Sequence, residues 1–308
     1  MDKSIHVWEI KSDEQPLPLA LQADSLDEFS RLLPQGLYST FRTFAKRTRV
    51  LDLRHHLERL YRPAAQMNIR PAVDEAGLRR ALVELLAPPR DRSTVGFMTA
   101  AGKRGAGNVW PSAQGGWDEA RVRISLSTEP ERPGAVFVAI EPLRPLADEV
   151  YRRGIRVVTS HQERTNPTLK STFFIGASEQ ARKALAVSDA SEALMLRDGR
   201  ILEGLTSNFY YIRAGILGTA GRGVLPGVTR RLVLRLARAE GLPVSYRALR
   251  MEQLAGISEA FITSSSRGIV PVVQIDNLKV GQGLPGPLTW RLIQRYDAYV
   301  EKHAGLIA

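Results

Sequence analysis

The sequence predicts a mixed α/β (α+β) protein of two lobes, and three observations carry that expectation. Its 308 residues exceed what one hydrophobic core ordinarily serves. Short β-prone runs recur in both halves, alternating with segments whose apolar residues fall three and four apart. A proline-marked stretch, Glu141-Pro142-Leu143-Arg144-Pro145, reads as an interdomain crossing, which divides the chain into 1–142 and 143–308.

In the first half, Ile5 to Ile10 reads as a short strand, and the polar segment after it ends in the turn signal Leu33-Pro34-Gln35-Gly36. Leu37 to Phe44 and Val50 to Leu53 are β-prone runs bridged by Ala45-Lys46-Arg47-Thr48. Arg54 to Met67 carries helical spacing through Leu57, Leu60, Ala64 and Met67, and Asp74 to Leu86 reads as a second helix stopped by Pro88-Pro89. Gly96 to Gly116 holds six glycines, two basic residues and no acids, the composition of a loop, either an inert insertion or a cover over a site. Ala120 to Ser127 and Ala135 to Ile140 read as strands.

In the second half, a strand is expected at Ile155 to Ser160, then a loop with Asn166-Pro167 and a helix from Thr172 to Leu185. Ala193 to Arg197 and Phe209 to Arg213 read as paired strands, with a hairpin-type turn at Asp198-Gly199. Helices at Thr229 to Glu240 and Leu288 to Lys302 flank strands at Phe261 to Thr263 and Val270 to Ile275.

Apolar residues at 44% and charged residues at 24% place the chain among folded globular proteins. The absence of cysteine removes thiolate chemistry, disulfides and cysteine metal sites, and suits a cytoplasmic setting. No apolar run approaches membrane-spanning length, and Met1 to Gln15 has no signal-peptide core. A net charge of +11 invites a nucleic-acid reading, yet the basic residues are interleaved with acids rather than gathered in an arm. An Arg-rich solvated surface is the favoured explanation, with a basic nucleic-acid binder kept as the alternative from another class. Only 8 of the 43 basic residues are lysines, so each lysine is worth inspecting.

Lys170 stands between a proline-marked loop and an apolar helix. Apolar company lowers an ammonium's pKa and frees the amine to attack a carbonyl, although a lysine at a helix start also snorkels to solvent. Glu203-Gly204-Leu205-Thr206-Ser207-Asn208 places a carboxylate and small polar residues between strands, either a polar hairpin or a buried acid awaiting a cation. Leu225-Pro226-Gly227-Val228-Thr229-Arg230 leads into an amphipathic helix whose free N–H groups suit a phosphate. Thr263-Ser264-Ser265-Ser266 adds hydroxyls. No dinucleotide or Walker-type glycine motif and no G-x-S-x-G elbow is present. His55 and His56 are adjacent on a helix and point to different sides, so no metal site is expected.

The ordered set resembles the class IV (fold-type IV) pyridoxal-phosphate enzymes, which include branched-chain aminotransferases, D-amino-acid aminotransferases and aminodeoxychorismate lyases. The resemblance rests on Gly36-Leu37-Tyr38-Ser39-Thr40-Phe41-Arg42, on His56-Leu57-Glu58-Arg59, on Lys170, on Glu203 to Asn208, on Leu225 to Arg230, on the hydroxyl run before Pro271, and on Val280 to Pro287. It implies pyridoxal 5′-phosphate as cofactor and Lys170 as its Schiff-base lysine and proton shuttle. Glu203 would face the pyridine nitrogen, Arg59, Val228, Thr229 and Ser265 the phosphate, and Tyr38, Arg123 and Ser266 the substrate. It further implies a homodimer, an amino acid and a 2-oxo acid as substrates, and, from Val280 to Pro287, a branched-chain or related apolar side chain. A lyase acting on aminodeoxychorismate is the alternative within the fold. Ser39 stands where the family usually has an acid. Phe173 and Phe174 follow the lysine where branched-chain enzymes place a tyrosine.

Overall fold

The computed structural model describes residues 5–87 and 118–307; between them only the backbones of Phe97–Met98 and Arg104–Gly105, which pair as a two-stranded ribbon, are described. The expected loop from Gly96 to Gly116 otherwise lies outside the described residues.

Two large sheets form the frame. The first has seven strands, all paired antiparallel, in the order Gly305–Leu306, Arg49–Val50, Gly36–Phe44, Ala120–Ser127, Val136–Pro142, His6–Ile10, Leu17–Pro18. One face packs on the helices Leu53–Gln66 and Glu75–Leu86 through fully buried Leu57, Leu60, Leu78 and Leu82. This is the outcome that apolar residues at helical spacing dictate, since each helix must bury its stripe against something.

The second sheet has ten strands, and six of them close on themselves: Asn208–Arg213, Glu259–Ser264, Gly268–Ile275, Ile155–Ser160, Glu192–Arg197 and Arg200–Gly204. The closing pair sets Glu203 opposite Asn208, so the expected acid sits on the seam of the ring. Helices Val228–Ala239 and Pro287–His303 cover this sheet with Leu232, Val233, Leu292 and Tyr296 against Tyr210 and Phe261. Ile155–Ser160 pairs parallel with both of its neighbours, whereas the hairpin around Asp198 and Gly199 has both residues at positive φ, as its sequence predicts.

Several elements depart from expectation. The single helix read from Thr172 to Leu185 is two, Phe173–Ala177 and Glu179–Ala186, because the Ser178 hydroxyl donates to the Phe174 carbonyl and breaks the run. The strand read from Val50 to Leu53 ends at Val50, since Asp52 turns left-handed at φ 58° and starts the next helix. The polar segment before Gly36 contains a helix, Leu26–Leu32, capped by the Ser25 hydroxyl accepting from the Glu28 N–H. A further helix, Asp148–Arg153, fills the crossing between the sheets.

Candidate functional site

The segment bearing Lys170 is stitched to the first sheet while belonging to the second half of the chain. Tyr38 N–H donates to the Lys170 carbonyl at 2.8 Å, Thr172 N–H to the Gly36 carbonyl at 2.8 Å, and Gly36 N–H to the Thr172 hydroxyl at 2.9 Å. Glycine is required at 36 because a Cβ there would lie 2.0 Å from the Leu126 carbonyl oxygen. Lys170 is thereby held between the two sheets, its Nζ 4.6 Å from the centre of the Tyr38 ring. It lines a cavity of about 260 Å³. Burial lowers its pKa; Tyr38 opposes that, and Arg59, Arg164 and Arg123 reinforce it. The loss of solvation expected from its sequence neighbours is met instead by tertiary ones.

Glu203 is 1% exposed and fully bonded on one oxygen. Oε2 accepts from Asn208 Nδ2 at 3.0 Å and from the Leu225 N–H at 2.9 Å, while Oε1 meets Arg164 Nε at 3.2 Å. Burial raises the carboxyl pKa; Arg164, the Leu225 N–H and Lys170 pull it back toward the ionised form. Arg164 is the residue that sequence reasoning missed. Its side chain is 5% exposed, lies 3.8 Å over the Phe174 ring, and leaves Nη1 buried without a hydrogen-bond partner among the described residues. Nothing in the sequence separates it from the chain's many other arginines.

At another wall of the cavity, Val228 opens the helix Val228–Ala239, and Gly227 before it supplies no side-chain cap, so the first N–H groups stay available. A Cβ on Gly227 would lie 2.2 Å from Asn208 Oδ1. Thr229 Oγ1 lies 3.4 Å from Ser265 Oγ, and Arg59 reaches across from the first sheet's helix to donate to the Pro226 carbonyl at 2.6 Å. Burial brings the Arg59 pKa down to about 10, still a cation at neutral pH.

The expected site residues Tyr38, Arg59, Arg123, Lys170, Glu203, Val228, Thr229, Ser265 and Ser266 all line this one cavity. Burial raises the Tyr38 phenol, but Lys170 and Arg123 beside it leave its pKa lowered. Arg123 is a wall post more than a free contact. Its nitrogens donate to Thr40 Oγ1, the Leu26 carbonyl, Ser30 Oγ and Asp27 Oδ1 at 2.7 to 3.0 Å, and its guanidinium carbon sits 4.7 Å from the Tyr38 ring centre. Asp27 also takes Arg182 Nη1 at 2.6 Å, which ties the helix Leu26–Leu32 to the helix Glu179–Ala186. The two adjacent histidines diverge as expected: His56 is buried against Ser39 Oγ at 2.9 Å, while His55 joins Asp52 and Arg231 nearer the surface. No residue of Val280–Pro287 lines the cavity. Val280 is buried in the core of the closed ring, and Glu259 binds the N–H groups of Leu288 and Thr289, so the stretch builds a helix start. Among the described residues, no helix is long and apolar enough to cross a membrane.

Residues 36–275 match the family described as amino-transferase class IV. A D-alanine aminotransferase of Bacillus licheniformis is 26% identical over 260 residues, covering 82% of this chain and 83% of its own. A putative branched-chain amino acid aminotransferase of Thermotoga maritima has a solved structure of the same fold, with a TM-score of 0.69 at 25% identity over 96% of each chain. A further branched-chain amino acid aminotransferase, from T.th. and solved with pyridoxamine 5′-phosphate, shares the fold with a TM-score of 0.74 at 21% identity over 98% of each chain. With its lysine between two sheets, its seam carboxylate and a family match that spans both, this chain belongs to the class IV aminotransferases.

Proposed function

We propose that the protein moves an amino group between an amino acid and a 2-oxo acid, using pyridoxal 5′-phosphate held at Lys170. The observation that carries the reading is the convergence on one cavity of a desolvated amine, an ionisable seam carboxylate and a helix N-terminus with unused N–H groups. The residues present fit the cofactor. Gly227 leaves a hollow beside Asn208 that a Cβ would fill, and the Arg164 Nη1 donor is buried with no acceptor among the described residues. When bound, the cofactor supplies an electron sink next to the reacting carbon.

The chain's own groups do the rest. Arg59, the N–H groups of Val228 and Thr229, and the Thr229 and Ser265 hydroxyls hold the phosphate. Glu203, kept toward its ionised form by Arg164, favours a protonated ring nitrogen. Lys170 binds the cofactor through its amine and, once released, takes the substrate's α-proton at Nζ, a task suited to an amine whose pKa burial has lowered. Tyr38 forms the floor under that amine. The reading divides the chain into lobes 1–142 and 143–308, which act as the two walls of the cavity. A homodimer in the cytoplasm is part of the same reading, supported by the family membership and by a chain without cysteine.

Mass spectrometry of purified protein after borohydride reduction tests it: the cofactor mass is expected on Lys170, and a label on another lysine overturns the assignment. Glutamate formed from 2-oxoglutarate separates amino transfer from the lyase alternative, which needs no second oxo acid.

A further inference from the structure

We propose that an exposed arginine face outside the closed ring, centred on Arg197, Arg200 and Arg250, binds single-stranded nucleic acid through its phosphates. None of these three residues lines the cavity, so the inference is separate from the transfer reading. Strand register gathers here what the sequence spaces out. Arg197 opposes Arg200 across the hairpin at Asp198-Gly199, and Arg200 opposes Arg250 on the adjoining strand Leu249–Arg250. Their neighbours Leu196, Ile201 and Leu249 fill the core of the ring, so alternation along each strand turns all three arginines outward. Three adjoining strands thus line up guanidinium groups over about 10 Å. Like charges directly opposite one another on a ladder repel. Nothing in the fold relieves that repulsion, since none of the three side chains has a hydrogen bond or ion pair among the described residues.

Two further segments complete the face. A Cβ on Gly223 would lie 3.3 Å from Arg197 Nη2, and one on Gly221 would lie 2.9 Å from the Tyr246 carbonyl oxygen, so the turn that carries Arg222 runs from Arg197 to Tyr246. From Tyr246 the chain returns through Arg247 to Arg250. Arg222 and Arg247 are exposed, and their side chains also have no partner among the described residues. Across 197–200, 221–223 and 246–252, five arginines face two acids, Asp198 and Glu252, and neither acid is in an ion pair with any of them. Planar forks left open in this way match phosphate oxygens in two-point geometry.

Tyr246 selects the kind of polyanion. Its hydroxyl accepts from Arg238 Nη2, and the guanidinium carbons of Arg230 and Arg238 lie 5.9 and 5.8 Å from its ring centre, yet the residue is 49% exposed. An aromatic ring fixed in place beside open guanidinium groups offers a surface on which an unpaired base stacks while its phosphates meet the arginines. A duplex keeps its bases stacked on one another, and a lipid headgroup or a phosphate chain has no base to present. The single strand is the polyanion that uses both parts of the face.

Fluorescence anisotropy of a labelled oligouridylate of about 15 nucleotides, titrated with the full-length cofactor-loaded protein, tests the proposal. Wild type is expected to bind, with log K falling against log salt at a slope of roughly −3, the value for four or five phosphate contacts on a single strand. Arg200→Glu with Arg250→Glu is expected to weaken binding on the order of a hundredfold and to flatten the slope. Arg200→Gln with Arg250→Gln, which removes charge without reversing it, is expected to move the same way by less. Arg80→Glu with Arg291→Glu changes the net charge equally at two exposed sites elsewhere, and affinity is expected to stay within about twofold. Tyr246→Ala is expected to weaken binding about tenfold at an unchanged slope, and Tyr246→Phe to keep it. Amino transfer in the arginine variants is expected to match wild type, which reports an intact fold. No binding by wild type at about 50 mM salt, or an equal loss in both charge-reversed pairs, overturns the face. Inorganic polyphosphate or phosphatidylserine vesicles bound as tightly as the oligonucleotide, with Tyr246→Ala without effect, overturn nucleic acid as its partner.

Discussion

Glu203 and Asp27 are both carboxylates at the cavity wall, and the balance between burial and neighbouring cations leaves them shifted in opposite directions. Glu203 is pushed up by burial, with Arg164 the largest opposing charge. Removing that charge in Arg164→Met leaves burial to act with less opposition, so Glu203 takes up a proton nearer neutral pH. Cofactor affinity in that variant is expected to rise with pH across neutrality, where the wild-type protein stays flatter. Titrating cofactor into the cofactor-free protein across that range checks it; parallel curves would remove Arg164 from the role. Asp27 is also subject to burial, but Arg123 and Arg182 together hold its pKa down to about 2 from 3.8. A carboxyl with a lowered folded pKa contributes stability above its unfolded pKa and loses it as pH falls through the folded value. The contribution is about 2 kcal/mol, present at neutral pH and lost between roughly pH 4 and 2. Asp27→Asn is expected to lower unfolding free energy by that amount at neutral pH in denaturant titrations, with the gap closing in acid.

At the scale of elements, the helix Val228–Ala239 was legible because Pro226-Gly227 precedes an amphipathic run with a large apolar stripe. The phosphate role proposed for it rests on the missing cap together with Arg59, which arrives from a helix of the other sheet. Arg59→Ala deletes a charge-assisted contact and is expected to weaken cofactor affinity by roughly tenfold to a hundredfold. Thr229→Ala should cost less, since the backbone N–H groups remain, and equilibrium titrations of both variants check the order. The helix Leu26–Leu32 had a readable signal, Ser25 followed three residues on by Glu28, but its seven residues show too little periodicity to declare it. The break at Ser178 had no such signal. Helical spacing continues through it, and only the hydroxyl's bond to the Phe174 carbonyl decides the matter.

At the scale of the whole molecule, the two sheets are joined by the Lys170 segment, by Asp27 with Arg182, and by the chain's end. Gly305–Leu306 returns from the last helix to pair with Arg49–Val50, and Ile307 is 3% exposed in the core of the first sheet. A residue nominally at the tail of the second lobe is thus part of the first lobe's core. Ile307→Ala is expected to cost about 2 to 5 kcal/mol. Thermal unfolding with and without cofactor checks it, since a loss of that size at a fraying terminus would be absent.

The sequence by itself determined the mixed α/β class and singled out Lys170, Glu203, Val228 and Thr229 as candidates that one cavity brings together, because apolar periodicity and turn residues are local properties that each segment carries. The ordered motifs then identified the family that residues 36–275 match. The tertiary structure alone decided which arginines are spent and which are open. Arg164, Arg123 and Arg121 look alike in the chain, and a guanidinium's role depends on whether acceptors from distant segments surround it. Arg123 meets residues about 90 positions away, Arg164 meets Glu203, and the terminal nitrogens of Arg121 meet none among the described residues. The Val280–Pro287 stretch was placed in the same way: its sequence pointed to substrate, and Glu259 claimed the helix start behind it instead.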